Sequence, residues 1–157
     1  MNPSGSGSSV DFLQVVSSNT VIPHSNDFIK WLRDISQLTE IKEENITVRI
    51  VDEPESQVLN KQYRGKDKPT NVLSFPSQLP VEIQAEYLGD IVICAPVVEQ
   101  EACDQNKPVK AHWVHMLVHG ILHLKGYDHI DDEEALEMET LEKAILAEMG
   151  FPDPYAE

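Results

Sequence analysis

Five of the six histidines of this 157-residue chain fall between positions 112 and 129: His112, His115, His119, His123 and His129. His119 and His123 are four residues apart, so on a helix they share one face about 6 Å apart along the axis. Neutral imidazoles at that spacing can converge on one metal ion, with metal–nitrogen distances of about 2.0–2.1 Å. Gly126 breaks the helix and turns the chain back, which lets His129 reach the same ion from outside it. Three histidines leave a fourth position for water, which the ion acidifies toward a pKa of about 7. Structural zinc sites are instead closed by four ligands and usually include cysteine, and neither Cys94 nor Cys103 lies in the motif. His112 and His115 are expected to be packed or hydrogen-bonded core residues. Asp128 is a candidate acceptor behind a ligand, or simple turn chemistry between Gly126 and the next helix.

The spacing HxxxHxxGxxH is the skeleton of the metzincin protease zinc site, in which a glutamate general base follows the first histidine. Here that position is Gly120, which weighs against a peptidase. A second constellation lies in the stretch YRGKDKPTNVLSFP, residues 63–76, a basic loop directly before a strand. Arg64 offers a planar fork of donors suited to a phosphate that gains charge in a transition state. Lys66 and Lys68 read as solvated loop charges, able to add long-range attraction for a polyanion. Asn71 and Ser74 are expected to fix the loop and strand rather than to bind substrate.

These residues must be positioned by elements that the pattern predicts in turn. A first strand spans residues 11–17, and a helix capped by Ser25 carries Phe28, Ile29, Leu32 and Ile35 at helical spacing. A half-buried strand follows over 46–52. Glu53-Pro54 then starts a helix that runs to about Arg64 and ends at Gly65. Strands are expected over 70–75 and 87–94, with a Pro- and Gln-rich loop between them. Helices follow from Ala95 to about Asn106 and from about Val109 to Lys125, and the last runs from Asp131-Asp132 to just before Gly150. The fold class is therefore α/β (α+β): a single mixed sheet of about four strands packed with about five helices. The metal site would sit on the histidine-bearing helix and the turn after it.

Composition narrows the partners and the setting. Acidic residues number 27 against 12 basic, a net charge of −15, which argues against a simple nucleic-acid coat protein. The excess is uneven: residues 131–157 carry ten acidic groups and one basic, read as a solvated helix face. Residues 61–68, in contrast, hold Lys61, Arg64, Lys66 and Lys68 against Asp67 alone. No apolar run nears the roughly 18–20 residues that span a bilayer, so no membrane role is expected. Two cysteines without a CxxC point to a reduced, cytoplasmic protein. Residues 1–9 read as a disordered Ser/Gly-rich lead, and 10–157 as one domain.

The stretch 63–76, then LGDIVIC, then AHWVHMLVHGILHLKGYDH resemble the bacterial YbeY family over about Ile46 to Tyr155. The resemblance implies a single-domain, zinc-dependent endoribonuclease that matures ribosomal RNA and takes part in ribosome quality control. Its partners would be ribosomal RNA and the small ribosomal subunit with its proteins. By motif position, His119, His123 and His129 resemble the family's ligands for one zinc ion, and Arg64 its functional arginine. The rival readings are a non-catalytic, zinc-stabilised ribosome-assembly factor and, more remotely, a metallopeptidase.

Overall fold

The computed structural model describes residues 13–15, 22–42, 45–77, 87–128 and 130–156. In chain order these form β1 (Leu13–Val15), α1 (Ser25–Thr39), β2 (Ile46–Val51), α2 (Glu53–Arg64), β3 (Val72–Pro76), β4 (Gly89–Cys94), α3 (Ala95–Asp104), α4 (Val109–Leu124) and α5 (Asp132–Glu148). The four strands make one mixed sheet of order β1-β2-β4-β3, with β1–β2 and β2–β4 parallel and β3–β4 antiparallel. The expected architecture of four strands and five helices is the one observed among the described residues. The expected first strand keeps Leu13–Val15; the residues on either side that it included lie outside the described set.

Strand alternation sorts the core onto the two faces of the sheet. Val48, Ile50, Ile91 and Ile93 point one way, into a large cluster with Phe28, Leu32, Trp113, Leu117 and Ile121 of α1 and α4. Val51, Leu73, Val92 and Cys94 point the other way, toward Leu59 of α2 and Val97 of α3. Helix α4 is apolar nearly all round, and such a helix belongs inside a fold. Its histidines are therefore held by a buried rod, not by a surface loop.

Three starts differ from the sequence expectation, among them β4, which begins at Gly89 rather than at residue 87. His24, not Ser25, caps α1, because its extended backbone lets Nδ1 accept from the Asn26 amide at 3.1 Å. Strand β3 begins at Val72 rather than Thr70, because Thr70 is engaged instead by α2. The Ser56 hydroxyl donates to Thr70 O and accepts from Thr70 N, both at 3.0 Å. Asn60 Nδ2 donates to Lys68 O at 2.8 Å, and Gly65 caps α2 at φ +74°. The basic loop is thus tethered to the helix before it by polar bonds along its length.

Close approach at Gly89 sets the edge that lines the site. This residue sits at φ +148°, and a Cβ there would stand 2.2 Å from the Phe75 carbonyl oxygen. Gly89→Ala should therefore destabilise the fold by on the order of 3 kcal/mol through backbone strain and overpacking. A thermal melt indistinguishable from wild type would contradict this account of the β3–β4 pairing.

Candidate active site

Helix α4 ends in a Schellman turn: the Tyr127 amide donates to Leu122 O and the Gly126 amide to His123 O, both at 3.0 Å. Gly126 takes φ +104°, the left-handed conformation this turn requires. The chain therefore reverses directly after His123, as the glycine in the motif predicts, and Tyr127 and Asp128 come back beside His119 and His123. His129, the third expected ligand, lies outside the described residues.

His119 and His123 converge. Their Nε2 atoms are 3.1 Å apart, close to the ~3.3 Å separation of two nitrogens bound to one tetrahedral ion. The other nitrogen of His119, Nδ1, lies 2.5 Å from Oε2 of Glu142 on α5. Glu142 is completely buried and also receives His115 Nε2 at 3.4 Å and the Tyr155 hydroxyl. Burial alone would raise its pKa, but these hydrogen bonds and the charge available on His119 hold it down to about 2. Burial and the same carboxylate push the Tyr155 phenol above its ordinary value. An ionised carboxylate only accepts, so His119 must donate from Nδ1, which leaves the Nε2 lone pair facing His123. A carboxylate behind a histidine is how metal sites fix ligand tautomer and orientation. The donor set fits a divalent ion.

His115, His119 and Glu142 also bring ligand-capable atoms within 4.8 Å of one another, so this trio too could hold an ion. On that side both Glu142 oxygens are already engaged by the two histidines and the Tyr155 hydroxyl. His112 and His115 are buried and bonded to carboxylates, the packed role expected of them. His112 Nε2 lies 2.9 Å from Glu101, which also accepts from Asn71 Nδ2 at 3.1 and 3.2 Å. Desolvation opposes the Glu101 charge, yet the bonds from His112 and Asn71 keep its pKa below the ordinary value.

One cleft of about 590 Å³ gathers the candidates: Arg64, Asn71, Ser74, His119, His123 and Asp128 all line it. Asn71 and Ser74 hold structure as expected. Asn71 bonds Glu101 and accepts from the Val72 amide at 2.6 Å, and the Ser74 hydroxyl donates to Gly120 O at 3.0 Å. Gly120 is buried against the sheet, where a Cβ would lie 3.0 Å from Ile91 Cγ2. The position that holds a general base in metzincins is therefore packed against β4 and has no room for a carboxylate.

Glu142 escaped the sequence reading, which took the acidic tail as a solvated face. The missed signal is its place in an apolar stripe: Met138, Glu142 and Ile145 recur at helical spacing and are all buried.

The sequence model described as Endoribonuclease YbeY matches residues 15–150. The solution structure of TM1509 from Thermotoga maritima shares the fold, with a TM-score of 0.54 at 24% identity over 92% of this chain and 99% of that one.

Glu142→Ala should weaken binding of a divalent metal ion by about 10–100-fold, read by competition with a chromophoric chelator. Glu142→Gln, which keeps the volume and one acceptor, should lose less. Equal affinity in all three proteins would remove Glu142 from the site. The lowered pKa values of Glu142 and Glu101 also set a direction for acid unfolding. Their contribution is complete above the unfolded carboxyl value of about 4.3 and is lost as pH falls through the folded values. Between pH 4.3 and 2 the stability of Glu142→Gln, measured by denaturant titration, should fall less steeply than that of wild type.

Proposed function

The chain belongs to the endoribonuclease YbeY family, and from that premise we propose that it cleaves single-stranded ribosomal RNA with one zinc ion held by His119, His123 and His129. The observation that carries the reading is the shared cleft, which Arg64 lines together with two convergent imidazoles. When bound, the ion supplies Lewis acidity for a phosphoryl oxygen and lowers the pKa of a water. Arg64 sits at the exposed C-terminal end of α2 and meets the phosphodiester as its oxygens gain charge. Glu142 holds the His119 proton on Nδ1, so that Nε2 stays a lone-pair donor throughout. Ser74 ties β3 directly to α4, and Asn71 does so through Glu101 of α3, which also meets His112 of α4.

The cellular role that follows is maturation of small-subunit ribosomal RNA and ribosome quality control in the cytoplasm, by a single domain over residues 10–157. No helix among the described residues is long and apolar enough to cross a membrane. An acidic protein is a poor binder of bare polyanions, so the small subunit and its basic proteins would present the RNA. A peptidase reading is disfavoured by Gly120, whose surroundings exclude the base that such a reaction needs.

Arg64→Ala should fold and bind zinc as wild type does while RNA cleavage falls about 10²–10³-fold. Arg64→Lys should recover only part, because an ammonium keeps the charge and loses the fork. His123→Ala should lose the zinc by elemental analysis. Wild-type cleavage by Arg64→Ala would end its catalytic assignment. If wild type shows no chelator-sensitive cleavage of ribosomal substrate, the assembly-factor reading replaces this one. Chelator-sensitive cleavage of casein would restore the peptidase.

A further inference from the structure

Beside the cleft that holds Arg64 lies a second one of about 440 Å³, and Tyr63 and Pro76 line both. Its walls carry three aromatic rings: Tyr63, Phe75 and Tyr87. Tyr63 is 49% exposed, directly precedes Arg64, and packs on Phe75 with ring centroids 4.5 Å apart. Tyr87 cannot swing away, because its hydroxyl is held by Asp90 and by Thr47 Oγ1. Tyr63 thus presents a large aromatic ring, half in solvent, at the cleft wall.

We propose that this second cleft is a nucleobase subsite, in which Tyr63, backed by Phe75, stacks the base of a nucleotide next to the scissile phosphate. The inference rests on the RNA-cleaving reading above and specifies how the strand is seated. Charge decides which part of the nucleotide enters. Asp90, an exposed carboxylate, lies on the wall of the second cleft, whereas Arg64 lines the first. A phosphate is attracted to the first and repelled from the second, so the backbone lies at Arg64 and the neutral base turns across Tyr63. Stacking is tolerant of base identity because every base has a π face. It requires a base free of its helical neighbours, and in a duplex those faces are already covered. The subsite therefore selects unpaired strands without reading their sequence, and Tyr63 acts as a specificity residue.

The test uses a fluorescent single-stranded RNA in which one abasic nucleotide is moved stepwise along the strand. Affinity is read by anisotropy with chelator present to prevent cleavage, and KM and kcat are read with zinc. In wild type, abasic substitution at one position, fixed in register with the cleaved bond, should weaken binding and raise KM by about 10–100-fold. Tyr63→Ala should lose as much with intact RNA and be indifferent to the abasic site. Tyr63→Phe should behave as wild type. Tyr63→Leu, which keeps apolar packing on Phe75, should melt normally and bind as weakly as Tyr63→Ala. Wild-type affinity in Tyr63→Leu, or an abasic penalty that persists in Tyr63→Ala, overturns the subsite. Cleavage that ignores both Tyr63 and the abasic position removes the subsite and leaves the nuclease reading standing. Register-specific binding without any cleavage removes the nuclease reading and leaves the subsite.

Discussion

A carboxylate with no exposure to water must be satisfied entirely by the protein, and much of this structure is arranged around that demand from Glu142. His115 and His119 reach it from α4, and Tyr155 reaches it from the C-terminal segment. Leaving such a charge without partners costs several kcal/mol, so α5 is locked to the histidine helix in one register. The same constraint fixes the chemistry of His119. Because the carboxylate only accepts, the imidazole must donate to it, and the remaining lone pair is directed at His123. A stabilising contact between helices and the orientation of a candidate metal ligand are here one hydrogen bond.

The second constraint is the closeness of α4 to the sheet. Gly120 lies where a side chain would press on Ile91, and its carbonyl takes the Ser74 hydroxyl across the gap. This brings His119, the residue before it, into one cleft with β3, the edge strand of the sheet. That edge is in turn joined to the Arg64 loop, which Ser56 and Asn60 hold down on α2. The separation of imidazole and guanidinium groups is thus set by the backbone packing of three elements. The metzincin-like spacing persists around Gly120, but the packing that brings the helix close also removes the space for a glutamate base. Similar ligand spacing, placed on a helix with a different sheet contact, supports different chemistry.

Most of the fold could be read from the chain because its signals are local. Pro54 and Gly65 bracket α2, Gly126 marks the turn after α4, and the alternation in Ile46–Val51 marks a strand with one face buried. The pairing of His119 with His123 was legible for the same reason, being a matter of helical spacing. What could not be read was long-range. The partner of His119 is 23 residues away on another helix, in a segment whose ten acidic groups hid the one that is buried. The Asn71–Glu101–His112 chain likewise joins three elements that no local pattern connects. Tyr63 was visible only as the residue before Arg64, and its meaning depends on Phe75 and Tyr87 arriving from two different strand ends.

Net charge and site charge then have to be reconciled. Residues 131–157, with ten acidic groups against one basic, carry −9 of the net −15, whereas the loop from Lys61 to Lys68 carries the opposite sign. Beyond a Debye length of about 8 Å at physiological salt, surface charges are largely screened. On the proposed reading, a strand seated against Arg64 therefore feels mainly its immediate neighbours, and more distant acidic groups contribute little. A net-acidic chain then offers no general attraction for RNA, and the local basic loop rewards only a strand that is correctly placed. Binding strength must then come from short-range terms, namely the Arg64 fork, the metal ligands and the aromatic wall. Each of these demands geometry, so on the proposed reading an acidic chain relies on placement of the strand rather than on general attraction for it.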